Sequence, residues 1–419
     1  MRIAINVRRW VPGQVGGIEN YLRAVVGGLA AHGHELTLFV LDAGVDASRE
    51  LAPGADLRIA PLRAIGRSIK RELNPHAHDV LLCPQLGLDP LESGLPSVAM
   101  IPDLAPRLVP DCFDVAYRDD REQEVTATIR AATVVLTLSH YSRETILDAY
   151  DIQPERVVVT HCDVGAEFRD PPPTPPAFGA LGVPGEYVYF PANFWPHKNH
   201  ATLLAAFALL VRDRPELRLL LTGAPTPITE AARVRAQIQA LGLSDHVRML
   251  GVQPSDVVVA LMRQAAVLVF ATLFEGFGIP PLEAFHLGTP VVASGVAGNA
   301  EVVGDAAMIV DPTDPRSIAD GIARVLDDDS LRAELIHRGR ARIPKFSWQR
   351  TVEIVEAALS DAAAWRVPAR LQITLPERVR VSLLTHIYNG VRFLAQSIDN
   401  VLRAIRHAAS TALHRGNTR

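Results

Sequence analysis

Along the chain, short runs of consecutive apolar residues alternate with longer stretches whose apolar positions recur every three to four residues. Ile3–Val7, Leu36–Leu41, Val80–Cys83, Val98–Ile101, Val134–Leu138 and Val157–Thr160 have the length and composition of strands, and segments such as Asn20–Ala31 and Arg118–Ala131 carry the helical period. This βαβ punctuation predicts a mainly parallel, doubly wound sheet. The stretch DPPPTPPAFGALGVP, residues 170–184, is too rich in proline for a regular element and reads as a linker. Beyond it the alternation restarts. Strands are expected at Tyr187–Phe190, Leu217–Leu221, Val247–Leu250, Val267–Phe270, Val291–Ala293 and Ala307–Val310, with helices over 199–212, 229–241, 254–264, 281–287, 315–327 and 330–342. The pattern predicts an α/β chain with a first domain over 1–170, a linker over 171–184, a second domain over 185–345, closing helices over 346–366 and a tail over 367–419. Two such halves imply a cleft, with ligands outside the C-terminal ends of the strands.

Composition narrows the class. Nearly half of the 419 residues are hydrophobic, enough for two cores, and the formal net charge of −4 lacks the basic footprint of a nucleic-acid binder. Cys83, Cys112 and Cys162 are far apart and form no metal-binding spacing, which suits a reducing compartment. Arg8 and Arg9 interrupt the first strand region before any signal-like apolar stretch, and no run long enough to span a bilayer follows. These features read as a cytosolic chain.

Four stretches place chemistry at predicted strand ends. In WVPGQVGGIENYL, Gly13, Gly16 and Gly17 precede a helix, so bare amides can approach a phosphate or sugar, although a plain tight turn satisfies the same pattern. In YFPANFWPHKNHATLLAAF, Lys198 stands at the mouth of the expected cleft beside Asn193, His197 and Asn199, where a cation can meet a pyrophosphate. Phe194 and Trp195 are expected to pack beneath that loop. LLLTGAP ends a strand on Thr222 and Gly223, and RMLGVQP ends the next on Gly251, both clearing room for a nucleotide. In TLFEGFGIPPLEAFHLGTPVVAS, Glu275 and Glu283 flank a turn of glycine and proline. Acids are ordinary at helix starts. A nucleotide-sugar, however, needs a carboxylate for ribose hydroxyls, amides for phosphates and a polar partner for sugar hydroxyls, and Glu275, the amides of Gly276–Ile279 and Glu283 supply all three.

The block EGFGIPPLEAFHLGTPVVAS followed by AEVVGDAAMIVDPTD resembles the signature of the retaining glycosyltransferases of family 4, and FWPHKNHATLLAAF, LTLSHYSRETI and LRAELIHRGRARIPKFSW fit the same family. The resemblance covers about residues 1–365 and implies a GT-B fold, two Rossmann-like domains with the donor held mainly by the second, and no metal cofactor. It assigns Glu283 to the ribose hydroxyls, Glu275 to the donor sugar near its anomeric carbon, and the amides around Gly276, Phe277, Gly278 and Ile279 to sugar and phosphate. It assigns Lys198 to the leaving diphosphate, with Gly16 and Gly17 closing over it. Two departures stand out. MIPDLAP has Pro102 where the family usually has histidine, leaving Asp103 as the candidate acid on that side. Asn193 takes the place of a common phosphate-binding arginine, with His197 as a partial substitute.

The resulting expectation is a metal-independent enzyme that moves a sugar from a nucleotide diphosphate to a glycan or lipid-linked acceptor in cell-surface polysaccharide synthesis. Mannose from GDP-mannose is the leading donor, UDP-glucose or a related nucleotide sugar the alternative, and a catalytically silent GT-B scaffold the non-enzyme reading. An epimerase or phosphorylase of the same fold fits the motifs less well. The candidate acceptor loops, Gly44–Ser68, Leu86–Gly94 and Leu104–Tyr117, carry no legible code. In the tail, RVSLLTHIYNGVRFLAQSIDNVL, 380–402, resembles the opening strand and helix of a family 2 glycosyltransferase. It is read as a remnant or, with five arginines between 392 and 419, as a basic amphipathic helix on an anionic membrane surface.

Overall fold

The apolar tetrads Val80–Cys83, Val134–Thr137, Val267–Phe270 and Val291–Ser294 are buried at every position, as strands covered by helices on both faces must be. In the computed structural model, which describes residues 1–10, 17–59, 67–183 and 185–365, they belong to two parallel sheets. The first contains β1 (Arg2–Asn6), β2 (Glu35–Val40), β3 (Asp56–Ile59), β4 (Val80–Cys83), β5 (Ser97–Met100), β6 (Val134–Thr137) and β7 (Val157–Val159). Its order is β3-β2-β1-β4-β5-β6-β7. The second contains β8 (Tyr187–Pro191), β9 (Arg218–Thr222), β10 (Val247–Gly251), β11 (Val267–Phe270), β12 (Val291–Ser294) and β13 (Met308–Val310), in the order β10-β9-β8-β11-β12-β13. In both sheets the order reverses beside the first strand. Ile3 pairs with Leu36 on one side and Val80 on the other, and Val188 pairs with Leu219 and Val267. These two switch points open toward each other, and the loops after β1, β8 and β11 leave from them.

The structure adds elements that the hydrophobic pattern did not announce. Strand β3 is an edge strand with three of its four residues exposed, so it shows no apolar run. The proline-rich linker forms one turn of helix at Pro176–Ala180, because proline in a first turn forfeits no helical hydrogen bond. The last helix among the described residues, Trp348–Ala364, crosses back to the first domain. Its Thr351 hydroxyl donates to the His161 carbonyl at 2.6 Å and the Trp348 indole donates to the Val164 carbonyl at 2.8 Å. Tyr21 and Trp348 meet edge to face at 6.2 Å, and Glu356 bonds both His32 and His34. Cys83 and Cys162 are buried, and burial pushes the Cys83 thiol up to about 12, which keeps it an unreactive core residue. No helix among the described residues is long and apolar enough to cross a membrane. The tail over 367–419, with its family 2 resemblance and its amphipathic stretch, lies outside the described residues, as does Gly16.

Candidate active site

The loop after β8 and the loop after β11 are tied together before any ligand is considered. The Leu273 amide donates to the His197 carbonyl at 2.8 Å. Asn199, held at φ +67° where asparagine is tolerated, donates its side-chain amide to the carbonyls of Ala271 and Pro312 at 2.9 and 2.7 Å. On this frame Lys198 Nζ reaches both carboxylate oxygens of Glu275, at 2.8 and 2.9 Å, and lies 5.8 Å above the Phe270 ring. Burial raises the Glu275 carboxyl above its ordinary range. Lys198 opposes that shift and nearby Asp103 adds to it.

Asp103 arrives from the other domain, just beyond β5. Its Oδ1 accepts from the Ala105 amide at 2.8 Å, and burial raises its carboxyl as well. Gly276 sits so tightly against it that a β-carbon there would overlap the Asp103 carboxylate. Lys198, Glu275, Gly276 and Asp103, drawn from both domains, therefore meet at one point in the cleft. The pairing of one cation with two acids whose charged forms are both disfavoured makes the site able to accept hydroxyl protons or developing positive charge.

The next turn provides the anion-binding face. Gly278 adopts φ +102°, where a β-carbon would strike Asn299, and the helix Ile279–Leu287 starts immediately after it. Pro280 and Pro281 occupy its first turn, and Gly288 at φ +72° ends it. Across the cleft Gly17 opens the helix Gly17–Ala31, and a β-carbon on Gly17 would lie 2.6 Å from Ile279 Cδ1. Two helix N-termini thus converge, each with the positive end of its dipole toward the cleft, and because Pro280 and Pro281 carry no N–H the second offers the Ile279 amide alone among its first three positions. Phe277 points away, buried against His161 and Phe346, so only its backbone faces the cleft turn.

Glu283 lies one turn further along that helix, half-buried and without a hydrogen-bond or ion-pair partner among the described residues. Burial, with a smaller contribution from Glu167, pushes its carboxyl up to about 8. The remaining candidates sort by what already holds them. The Thr222 hydroxyl is 2.6 Å from the Tyr189 hydroxyl in the core, leaving only its main chain near the site. Gly223, at φ +143°, is pressed on the Ala192 carbonyl. Asn193 accepts from the Ala224 amide at 2.7 Å and so clips the loops after β8 and β9 together. Burial, followed by Lys198 and His200, drives the His197 pKa down to about 3, so its ring is neutral in this structure. Phe194 stacks on His200 beneath the loop as expected. Trp195 instead joins Phe113 and Tyr117 of the first domain, at 5.9 and 5.7 Å between ring centroids.

The sequence reading passed over the residues that join the domains. Ser139 caps the helix His140–Ala149 by accepting from the Ser142 amide, and the Ser142 hydroxyl donates to the Gly276 carbonyl at 3.4 Å. Gly298 backs the same carbonyl, and its own amide donates to the Glu275 carbonyl at 2.9 Å. Glu301 accepts from the amides of His140 and Tyr141 at 3.0 and 2.6 Å. The signal for Ser139 was present as a cap residue opening the SHYSRE helix. Glu301 stood inside the AEVVGD stretch without a role assigned to it, and Gly298 had no signal beyond proximity to that block.

With this geometry in place, comparison with known proteins adds identity. Residues 180–342 match the model described as Glycosyl transferases group 1, and residues 15–167 match Glycosyltransferase Family 4. The chain belongs to the family 4-type GT-B glycosyltransferases. Among the relatives of this chain, the O-antigen chain mannosyltransferase B of Escherichia coli is 31% identical over 233 residues, 54% of this chain and 60% of that protein. The D-inositol 3-phosphate glycosyltransferase of Acidothermus cellulolyticus is 32% identical over 254 residues, 58% of this chain and 56% of that one. The matched region thus spans a little over half the length of these relatives. The crystal structure of Anabaena HepE with UDP and glucose superposes with a TM-score of 0.68 at 19% identity, over 86% of this chain and all of that one. A lipopolysaccharide glycosyltransferase, WaaG, gives 0.65 at 19% identity, over 85% and 98%. Those two likenesses establish the GT-B fold.

Proposed function

We propose that this glycosyltransferase moves a hexose from a nucleotide diphosphate to a hydroxyl of a glycan or lipid-linked acceptor, with retention at the anomeric carbon. The observation that carries the reading is the meeting of Lys198 and Glu275 with Asp103 beside two converging helix N-termini. The diphosphate fits between the Gly17 and Ile279 amides and draws Lys198 toward it. Ribose hydroxyls donate to Glu283, and sugar hydroxyls meet Glu275. As the bond from the anomeric carbon to the diphosphate oxygen breaks, negative charge grows on the phosphate facing Lys198 and the amides, while positive charge grows on the sugar near Glu275. The acceptor oxygen forms the new bond from the same face and passes its proton to the departing diphosphate. Cation and oriented amides do the work that a divalent metal does elsewhere, so the reaction is proposed to need none.

Mannose from GDP-mannose is the donor proposed first, supported by the mannosyltransferase among the relatives at 31% identity. UDP-glucose or a related nucleotide sugar is the alternative donor proposed. The acceptor is proposed to belong to cell-surface polysaccharide synthesis. Donor hydrolysis and transfer measured with GDP-mannose and with UDP-glucose, with and without acceptor extract, test the reading. Turnover of neither donor, with no nucleotide diphosphate bound, would leave the scaffold alternative.

A further inference from the structure

Outside the transfer site, one group of three histidine, cysteine or carboxylate side chains converges among the described residues: His140, His161 and Glu301, whose ligand atoms all lie within 4.8 Å of one another. We propose that these three side chains form a site for a zinc-class divalent cation that ties the two domains together. His140 opens the helix after β6 and His161 follows β7, both in the first domain, whereas Glu301 belongs to the helix Asn299–Val303 of the second.

Three features of the cluster suit a cation. First, the donor set is two imidazoles and one carboxylate, which zinc binds with an open fourth position. Second, the spacing is close to what such an ion requires. His161 Nε2 and Glu301 Oε2 stand 3.4 Å apart, and bonds of 2.0–2.1 Å place tetrahedral ligands about 3.3–3.4 Å from one another. The two imidazoles lie 5.5 Å apart at 65°. His140 is exposed on the first residue of its helix, with a ring nitrogen already within 4.8 Å of the other two ligand atoms. Third, the surroundings orient the ligands. Glu301 is fixed by the amides of His140 and Tyr141 at 3.0 and 2.6 Å, and the His161 ring is walled by Phe277 and Phe346, each at 5.8 Å. Ligands held in this way by outer groups bind metal more tightly.

The consequence is regulatory. Phe277 lies in the donor turn, and the Gly276 carbonyl touches Ser142 of the helix that His140 begins. A cation at this site holds the cleft shut, and a closed cleft neither admits donor nor releases product.

The site is tested on the full chain by titration with cobalt(II), whose visible absorption intensifies in a four-coordinate site, followed by displacement with zinc. One equivalent is expected to bind wild type, and His140→Ala and His161→Ala are each expected to weaken binding at least tenfold. The His32→Ala/His34→Ala double variant, which removes the pair at Glu356, should bind as wild type does. Because His140 is exposed, His140→Ala is the variant that decides even where His161→Ala fails to fold. Small-angle scattering of wild type should show a more compact particle with zinc than with chelator. An unchanged cobalt spectrum in His140→Ala, or scattering indifferent to zinc, overturns the proposal. Both outcomes concern the cation site alone; whether the cation-free chain transfers a sugar is measured separately.

Discussion

Gly298 and Gly276 pack backbone to backbone: a methyl group at position 298 would overlap the Gly276 carbonyl oxygen and crowd Ser139. Gly298 has ordinary helical torsions, φ −63° and ψ −23°, so its small size rather than backbone strain is what the contact requires. Gly298→Ala should therefore push the donor turn away from the first domain. A stability loss of about 1–3 kcal/mol is expected from the overpacking, with donor affinity falling by at least an order of magnitude. Denaturant unfolding and calorimetry with the nucleotide diphosphate check both, and unaltered affinity would separate this contact from donor binding.

Glu275→Gln keeps the size of the side chain and a hydrogen bond to Lys198 but removes the negative charge. The prediction is a loss of at least 100-fold in kcat, about 2.7 kcal/mol of barrier, with the fold retained. Transfer rates within about twofold of wild type would remove Glu275 from the reaction.

Lys198→Ala leaves Glu275 without its cation in a buried place. Stability should drop, by the few kcal/mol typical of breaking such a pair, and the nucleotide diphosphate should lose more affinity than the nucleoside, since only the former presents charge to the lysine. Calorimetry with GDP and guanosine, or the uridine pair, distinguishes the two. Equal losses for both ligands would make Lys198 purely structural.

Glu283 supplies a pH dependence with a defined sign. Its carboxyl is raised from 4.5 to about 8 in the folded protein, so the native state holds a proton that the unfolded chain releases. Its contribution to stability is fully present below pH 4.5 and is lost as pH rises through about 8. Glu283→Gln, which cannot ionise, should be more stable than wild type above pH 8 by a few degrees in Tm, with the difference shrinking toward acid. Thermal unfolding between pH 5 and 9 measures it. A variant whose Tm runs parallel to wild type across that range would show that the carboxyl is not held neutral.

With the His140, His161 and Glu301 site kept free of zinc, excess chelator should leave donor turnover unchanged, since Lys198 and the amides at Gly17 and Ile279 can meet the diphosphate. A rate that falls with EDTA and returns with manganese would place a metal in the reaction itself.

The sequence by itself determined the two sheets and the position of the donor turn. Runs such as Val134–Thr137 and Val267–Phe270 are apolar because both faces of a central parallel strand are covered, and that burial is recorded residue by residue. The turn Gly276–Gly278 was legible because glycine there answers local demands, a positive φ at Gly278 and close approach at Gly276. The exposed edge strand Asp56–Ile59 left no such record, since an edge with one wet face needs no apolar run. Only the tertiary structure decided which groups meet across the cleft. Lys198 and Glu275 are 77 positions apart, and Glu301 finds the amides of His140 and Tyr141 some 160 positions away. Single polar residues at a domain junction have no period and no composition signal, because what fixes their partners is the docking of two finished folds. The same holds for His197, whose ring is made neutral by the burial that the fold imposes.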